Sequence, residues 1–141
     1  MRSSRKPAKP MNETEAKAKE IALAFERRRI RELLGEEAVS QIREIGEGGG
    51  YEIVSPDGRT IEVKGTKGTK ANYGFVINSQ QVIEHLENGG FIYRVTDVFA
   101  PTPHIYVLSL GHLSITAPYR ADVRIRRDAQ CEVIVHEGKL V

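Results

Sequence analysis

Residues Gly50 to Thr66, GYEIVSPDGRTIEVKGT, constrain the fold of this chain more than any other stretch. Two short runs of alternating apolar and polar residues flank Ser55-Pro56-Asp57-Gly58. Pro presets φ at the second position of a type I turn, Asp follows, and Gly is free to take φ > 0, so the stretch reads as a β-hairpin. Closure by Ser55 and Arg59 sets a register in which Glu52 lies across from Glu62. Strand side chains alternate with a period of two, which puts Lys64 on the Glu62 face and makes Tyr51, Ile53, Ile61 and Val63 the core face. Facing carboxylates repel by ~0.2–1 kcal/mol unless positive charge sits between them. A divalent cation answers that need. Glu52, Glu62 and the backbone carbonyl of Val63 form a hard-oxygen set suited to Mg²⁺ (or Mn²⁺), with water completing the shell.

Upstream, Asn12 reads as an N-cap with Glu15 in capping-box position, opening a helix that runs to about Leu34 with Gly35 as its C-cap. At about 100° per residue, Ile21, Ala22, Leu23, Phe25, Ile30, Leu33 and Leu34 share one arc. Glu26 falls near its middle and Arg29 also lies within it. A buried carboxylate needs a partner, so Glu26 is either an internal ion pair with Arg29 or a group directed at the hairpin. Residues 39–45 fit a strand or a further helical turn equally well. The glycines from 46 to 50 lack the lysine-and-hydroxyl ending of a P-loop and read as flexible linkage.

Downstream, Lys64, Lys67 and Lys70 lie among glycines and threonines in a loop whose composition suits phosphate contact or simple solvation. A strand over 74–77 precedes a helix capped at Asn78 or Ser79, with Gln80 and Gln81 in its first turn and Asn88-Gly89-Gly90 at its end. Residues 91–98 and 105–110 read as strands around a Pro101- and Pro103-containing loop, and 123–127 with 132–135 as a second hairpin. The implied class is α/β, in the sense of an α+β mixed sheet flanked by helices. The organisation is a basic tail over 1–11, one domain over 12–120 and a C-terminal β-hairpin extension over 121–141.

Composition narrows the chemistry. The net charge is +2 and the first ten residues carry +4, leaving −2 for the remainder. The tail is expected to be disordered or to assist nucleic-acid binding electrostatically. No apolar run approaches the ~20 residues of a membrane span, and no apolar segment follows the charged N-terminus as a signal peptide requires. A cytoplasmic protein without membrane association is expected. The single Cys131 permits no disulfide framework and reads as a buried hydrophobe. His85, His104, His112 and His136 show no zinc-ligand spacing, and no GxSxG or GxGxxG signature is present. Carboxylates and lysine remain.

The hairpin with E-x-K on its second strand, after a helix bearing an inward Glu, resembles the PD-(D/E)XK nuclease superfamily. More narrowly, AFERRRI, GGGYEI, TIEVKGT, GFVINSQQ, FIYRVTDV and IYVLSL are similar, in order, to the Protein NO VEIN C-terminal domain family, over roughly residues 22–110. The resemblance implies a restriction-endonuclease-like core. It matches Glu26 to the helix glutamate, Glu62 and Lys64 to the E-x-K pair, and Arg94 to the arginine of a Tyr-Arg-Val strand. Glu52 stands where that family usually has Asp, and Gln81 where it often has Glu.

Three functions follow as expectations. The first is a Mg²⁺-dependent nuclease, with DNA as the leading substrate. Glu52 and Glu62 hold the metal, Lys64 positions water, Glu26 and Gln81 assist, and Lys67, Lys70 and Arg94 contact nucleic acid. The second is a nuclease-like module that binds nucleic acid or a protein partner without cleaving. The third is an assembly domain, a homodimer paired through the C-terminal hairpin.

Overall fold

A computed structural model describes residues 12–46, 49–69, 75–77, 79–115, 121–125, 131–136 and 139–140. In chain order the elements are α1 (Glu13–Leu34), α2 (Glu36–Val39), β1 (Arg43–Glu44), β2 (Ile53–Val54), β3 (Thr60–Gly65), β4 (Phe75–Ile77), α3 (Gln80–Glu87), β5 (Phe91–Thr96), β6 (His104–Leu108), β7 (Leu113–Ile115), β8 (Ala121–Ile125), β9 (Cys131–His136) and β10 (Lys139–Leu140). The basic tail, Lys70 and the side chain of Cys131 lie outside the described residues.

The hairpin closes as its turn demands. Ser55 N–H donates to the Arg59 carbonyl at 2.9 Å, and Gly58 N–H to the Ser55 carbonyl at 2.9 Å. Gly58 takes φ 97°, the left-handed region that glycine enters without steric cost. Ile53 pairs with Ile61 and Val54 with Thr60. One residue earlier the ladder slips, because Glu52 N–H also donates to the Ile61 carbonyl, at 2.8 Å. Tyr51 therefore leaves the expected core face, and its ring meets His85 of α3 with centroids 5.0 Å apart.

β2 and β3 lie within a seven-stranded mixed sheet of order β1-β2-β3-β5-β6-β9-β10. Among the described residues, only β3 and β5 are parallel neighbours, and α3 lies in the connection between them, as a crossover requires. The class is α+β, as expected. α1 covers one face, packing Ala18, Ile21, Ala22, Leu23 and Phe25 on Ile53, Ile61, Tyr93 and Val95. α3 covers the other, with Val82, Ile83 and Leu86 on Ile92 and Leu108. The two faces use alternate residues of β5, the period-two rule seen in burial.

α1 starts and stops where its caps are. The Asn12 side chain accepts from Glu15 N–H at 2.8 Å, and Gly35 N–H donates to the Arg31 carbonyl at 3.0 Å. Residues 39–45 are partly helix and partly strand, since Val39 ends α2 and Arg43 begins β1.

The C-terminal segment departs from its expectation. β8 pairs with β4 and β7 in a separate three-stranded sheet, while β9 pairs with β6 and β10. The hairpin expected from 123–127 and 132–135 does not form between those strands. The hairpin at this end is β9–β10, and β9 enters the main sheet. Both strands alternate as hairpin partners would, but non-local edges satisfy their backbone groups instead.

Candidate functional site

The sheet brings Glu62 and Lys64 together on one face of β3, at the end of the hairpin away from the turn, but the slip turns Glu52 from its expected place across from Glu62 toward Lys19 of α1. Lys64 Nζ lies 3.4 Å from Glu62 Oε2, with those side chains 31% and 17% exposed. Glu52 Oε1 accepts from Val63 N–H at 3.0 Å, so this carboxylate takes up a strand donor where the ladder has slipped. Its other oxygen lies 3.8 Å from Lys19 Nζ, which also sits 3.2 Å from Glu44. Burial pushes the Glu62 carboxyl up to about 7, the nearby Glu52 charge adds to that rise, and Lys64 opposes it. Glu15, in the first turn of α1, raises it further. Lys19 thus bridges Glu44 and Glu52, while Lys64 pairs with Glu62.

Glu26 does not join this cluster. It is fully buried at the turn end of the hairpin. Arg29 Nε donates to both its oxygens at 3.1 Å, Tyr93 OH donates at 2.5 Å, and Ser55 Oγ and Arg29 Nη2 donate as well. Arg29 continues to Asp57 at 2.7 Å. Burial alone lowers the Arg29 pKa, but hydrogen bonds to Glu26 and Asp57 outweigh it and the group stays charged. The hydrogen bond from Arg29 holds Asp57 below the usual carboxylate range. Glu26 is therefore the internal ion pair, fastening α1 to the turn. The reason is helical rise. Lys19 and Glu26 are seven residues apart, close to two turns, so they share a face yet stand roughly 10 Å apart along it. Glu26 reaches the turn and Lys19 reaches the open end.

Gln81 lies in the first turn of α3, and its backbone packs against Gly50, where an added Cβ would overlap the Gln81 carbonyl. Gly50, at φ 83°, is thus a close-packed contact and not linkage. Gln81 lines a cleft with Tyr51, Thr60, Glu84, His85 and Asn88. Arg94 is 4% exposed, its Nη1 lies 3.4 Å from the Gly65 carbonyl, and burial lowers its pKa. That burial withdraws it from the surface role of a phosphate contact. Lys67 is exposed on a loop anchored to the end of β5, where Thr66 N–H donates to the Val95 carbonyl at 2.9 Å and Asp97 N–H to the Gly68 carbonyl at 2.9 Å.

Sequence reasoning missed Lys19, Glu15 and Glu44. The signal was present for Lys19 and Glu15, which sit one helical turn apart and end two turns before Glu26 on the same side. Glu44 becomes a neighbour only through the β1–β2 pairing of Glu44 with Ile53, which no local pattern announces.

Among the described residues, no three His, Cys, Asp or Glu side chains are grouped to hold a metal ion. Glu52, Glu62 and the Val63 carbonyl would be the oxygens to hold Mg²⁺, an ion that keeps several waters and needs only one or two carboxylates; the Glu52 oxygens here meet Val63 N–H and Lys19. No helix among the described residues is long and apolar enough to cross a membrane. No family model matches the chain, and no curated protein or solved structure is found to be similar to it.

Proposed function

We propose that this protein is a Mg²⁺-dependent nuclease with a restriction-endonuclease-like core, cleaving nucleic acid, DNA foremost, at the Glu52–Glu62–Lys64 cluster. The observation that supports this reading is the placement of Glu62 3.4 Å from Lys64 and near enough to Glu52 for their charges to repel, with burial first and that repulsion second holding its carboxyl up to about 7. A cation between the two carboxylates relieves that repulsion. Glu52, Glu62 and the Val63 carbonyl would hold the ion, and when bound it supplies Lewis acidity and lowers the pKa of its water. Lys64, anchored on Glu62, orients the attacking water and offsets charge developing on the phosphate. Lys67 supports the strand backbone electrostatically, and Lys19 fixes the outer oxygen of Glu52.

The test is cleavage of plasmid and labelled oligonucleotides in Mg²⁺ or Mn²⁺, beside Lys64→Ala. Cleavage lost in the variant supports the mechanism, and equal cleavage contradicts it. One observation favours a second reading, a module that binds nucleic acid without cutting it: Glu26 is committed to Arg29, Ser55 and Tyr93, so α1 adds no carboxylate of its own middle turns to the cluster. That reading expects salt-sensitive binding and no divalent-dependent cleavage.

A further inference from the structure

We infer that the cleft between the hairpin entry and α3 is a nucleobase site, taking one unpaired base of a single-stranded nucleic acid. The cleft encloses about 390 Å³ and is lined by Tyr51, Thr60, Gln81, Glu84, His85 and Asn88. That volume lies in the range of small-ligand sites. Its wall is built and not incidental. His85 is 6% exposed, and its Nε2 lies 2.9 Å from Thr60 Oγ1 and 3.1 Å from the Thr60 carbonyl. Gly90 leaves room for the ring, since an added Cβ there would overlap it. Facing a carbonyl, Nε2 must carry the proton, which makes Nδ1 an acceptor. That Nδ1 is buried without a hydrogen-bond partner among the described residues. Burial lowers the His85 pKa, against the hydrogen bond to Thr60 that raises it, and the ring is neutral at physiological pH.

Among the described residues, the lining therefore carries one carboxylate, Glu84, and no cation. Such a surface repels phosphate, so the nucleic-acid part it suits is the base and not the backbone. Tyr51, tilted 36° against His85, gives an aromatic platform, and base–aromatic stacking tolerates any base. Gln81 and Asn88 each offer an amide donor and acceptor, the chemistry that reads base edges. Those edges and faces are open together only on an unpaired base. Thr60 of the cleft lining and Glu62 lie two residues apart on one face of β3, so a nucleotide seated here sits about 7 Å along the strand from Glu62. That link to cleavage rests on the nuclease reading, whereas base binding does not.

The experiment is fluorescence anisotropy with labelled single strands of DNA and RNA, and with a blunt duplex of equal length, all in EDTA. Single strands are expected to bind more tightly than duplex. Tyr51→Leu and Asn88→Ala are expected to weaken them by about 5- to 100-fold, the range of one stacked base. The salt dependence should not change, because no charge is removed. Asn88 is exposed at the end of α3, so its variant carries the test if Tyr51→Leu fails to fold. Equal affinity for duplex, or wild-type affinity in a folded Asn88→Ala and Tyr51→Leu, overturns the inference. Tight single-strand binding in EDTA with no cleavage in Mg²⁺ upholds it while removing the nuclease reading.

Discussion

Glu62 is a carboxylate whose surroundings favour its neutral form, and that has a consequence for stability. Its folded pKa of about 7 lies above the ordinary value of 4.5. The folded state therefore binds the proton more tightly than the unfolded chain. The resulting stability is present below about pH 4.5 and is lost as pH rises through 7. In metal-free buffer, Glu62→Gln is expected to flatten this decline and to match or exceed wild-type stability at pH 8, by urea denaturation across pH 5–8. A variant that loses stability equally at every pH contradicts the charge assignment. Glu26 sits in a different setting. It is fully buried with every partner in place, so Glu26→Ala is expected to cost about 3–5 kcal/mol by the same measurement. Binding of a divalent ion to folded Glu26→Ala should be unchanged.

At the level of elements, the hairpin and the caps of α1 were legible because their causes are local. Pro56, Asp57 and Gly58 dictate the turn, and Asn12 and Gly35 end the helix. What was not legible depends on contacts distant in sequence. Tyr51 faces α3 because the ladder slips at Glu52, and period-two counting carries no notice of a slip. Glu26 lies at the wrong end of the hairpin for the cluster because angular position on a helix says nothing about which turn meets which strand end. Gly50 read as linkage, yet its positive φ and its contact with Gln81 hold the hairpin entry to α3. Gly50→Ala is expected to destabilise by more than about 1 kcal/mol and to weaken single-strand binding through the displaced Tyr51. Thermal melts with anisotropy on the same variant check both, and an unchanged melt contradicts the packing role.

For the whole molecule, the mixed sheet and its flanking helices follow from the order of elements, whereas the pairing of the last strands does not. β9 joins β6 across Ile105↔Val133 and its neighbours, which makes it a member of the main sheet and not an appendage. Deleting residues 131–141 is expected to abolish cooperative unfolding, followed by circular dichroism, because it leaves the β6 edge unpaired. A truncated chain that melts cooperatively contradicts that view. Paired carboxylates and lysines at one end of the sheet and a fastening network at the other together define the molecule proposed here: an α+β frame presenting two carboxylates and a lysine beside a polar, aromatic cleft. The claim at its centre is that a divalent ion binds between Glu52 and Glu62. Calorimetric titration of Mn²⁺ and Mg²⁺ into wild type, Glu52→Gln and Glu62→Gln tests it most directly. Saturable binding in wild type that is lost in both folded variants is the predicted result, and no binding, or equal binding in all three, contradicts it.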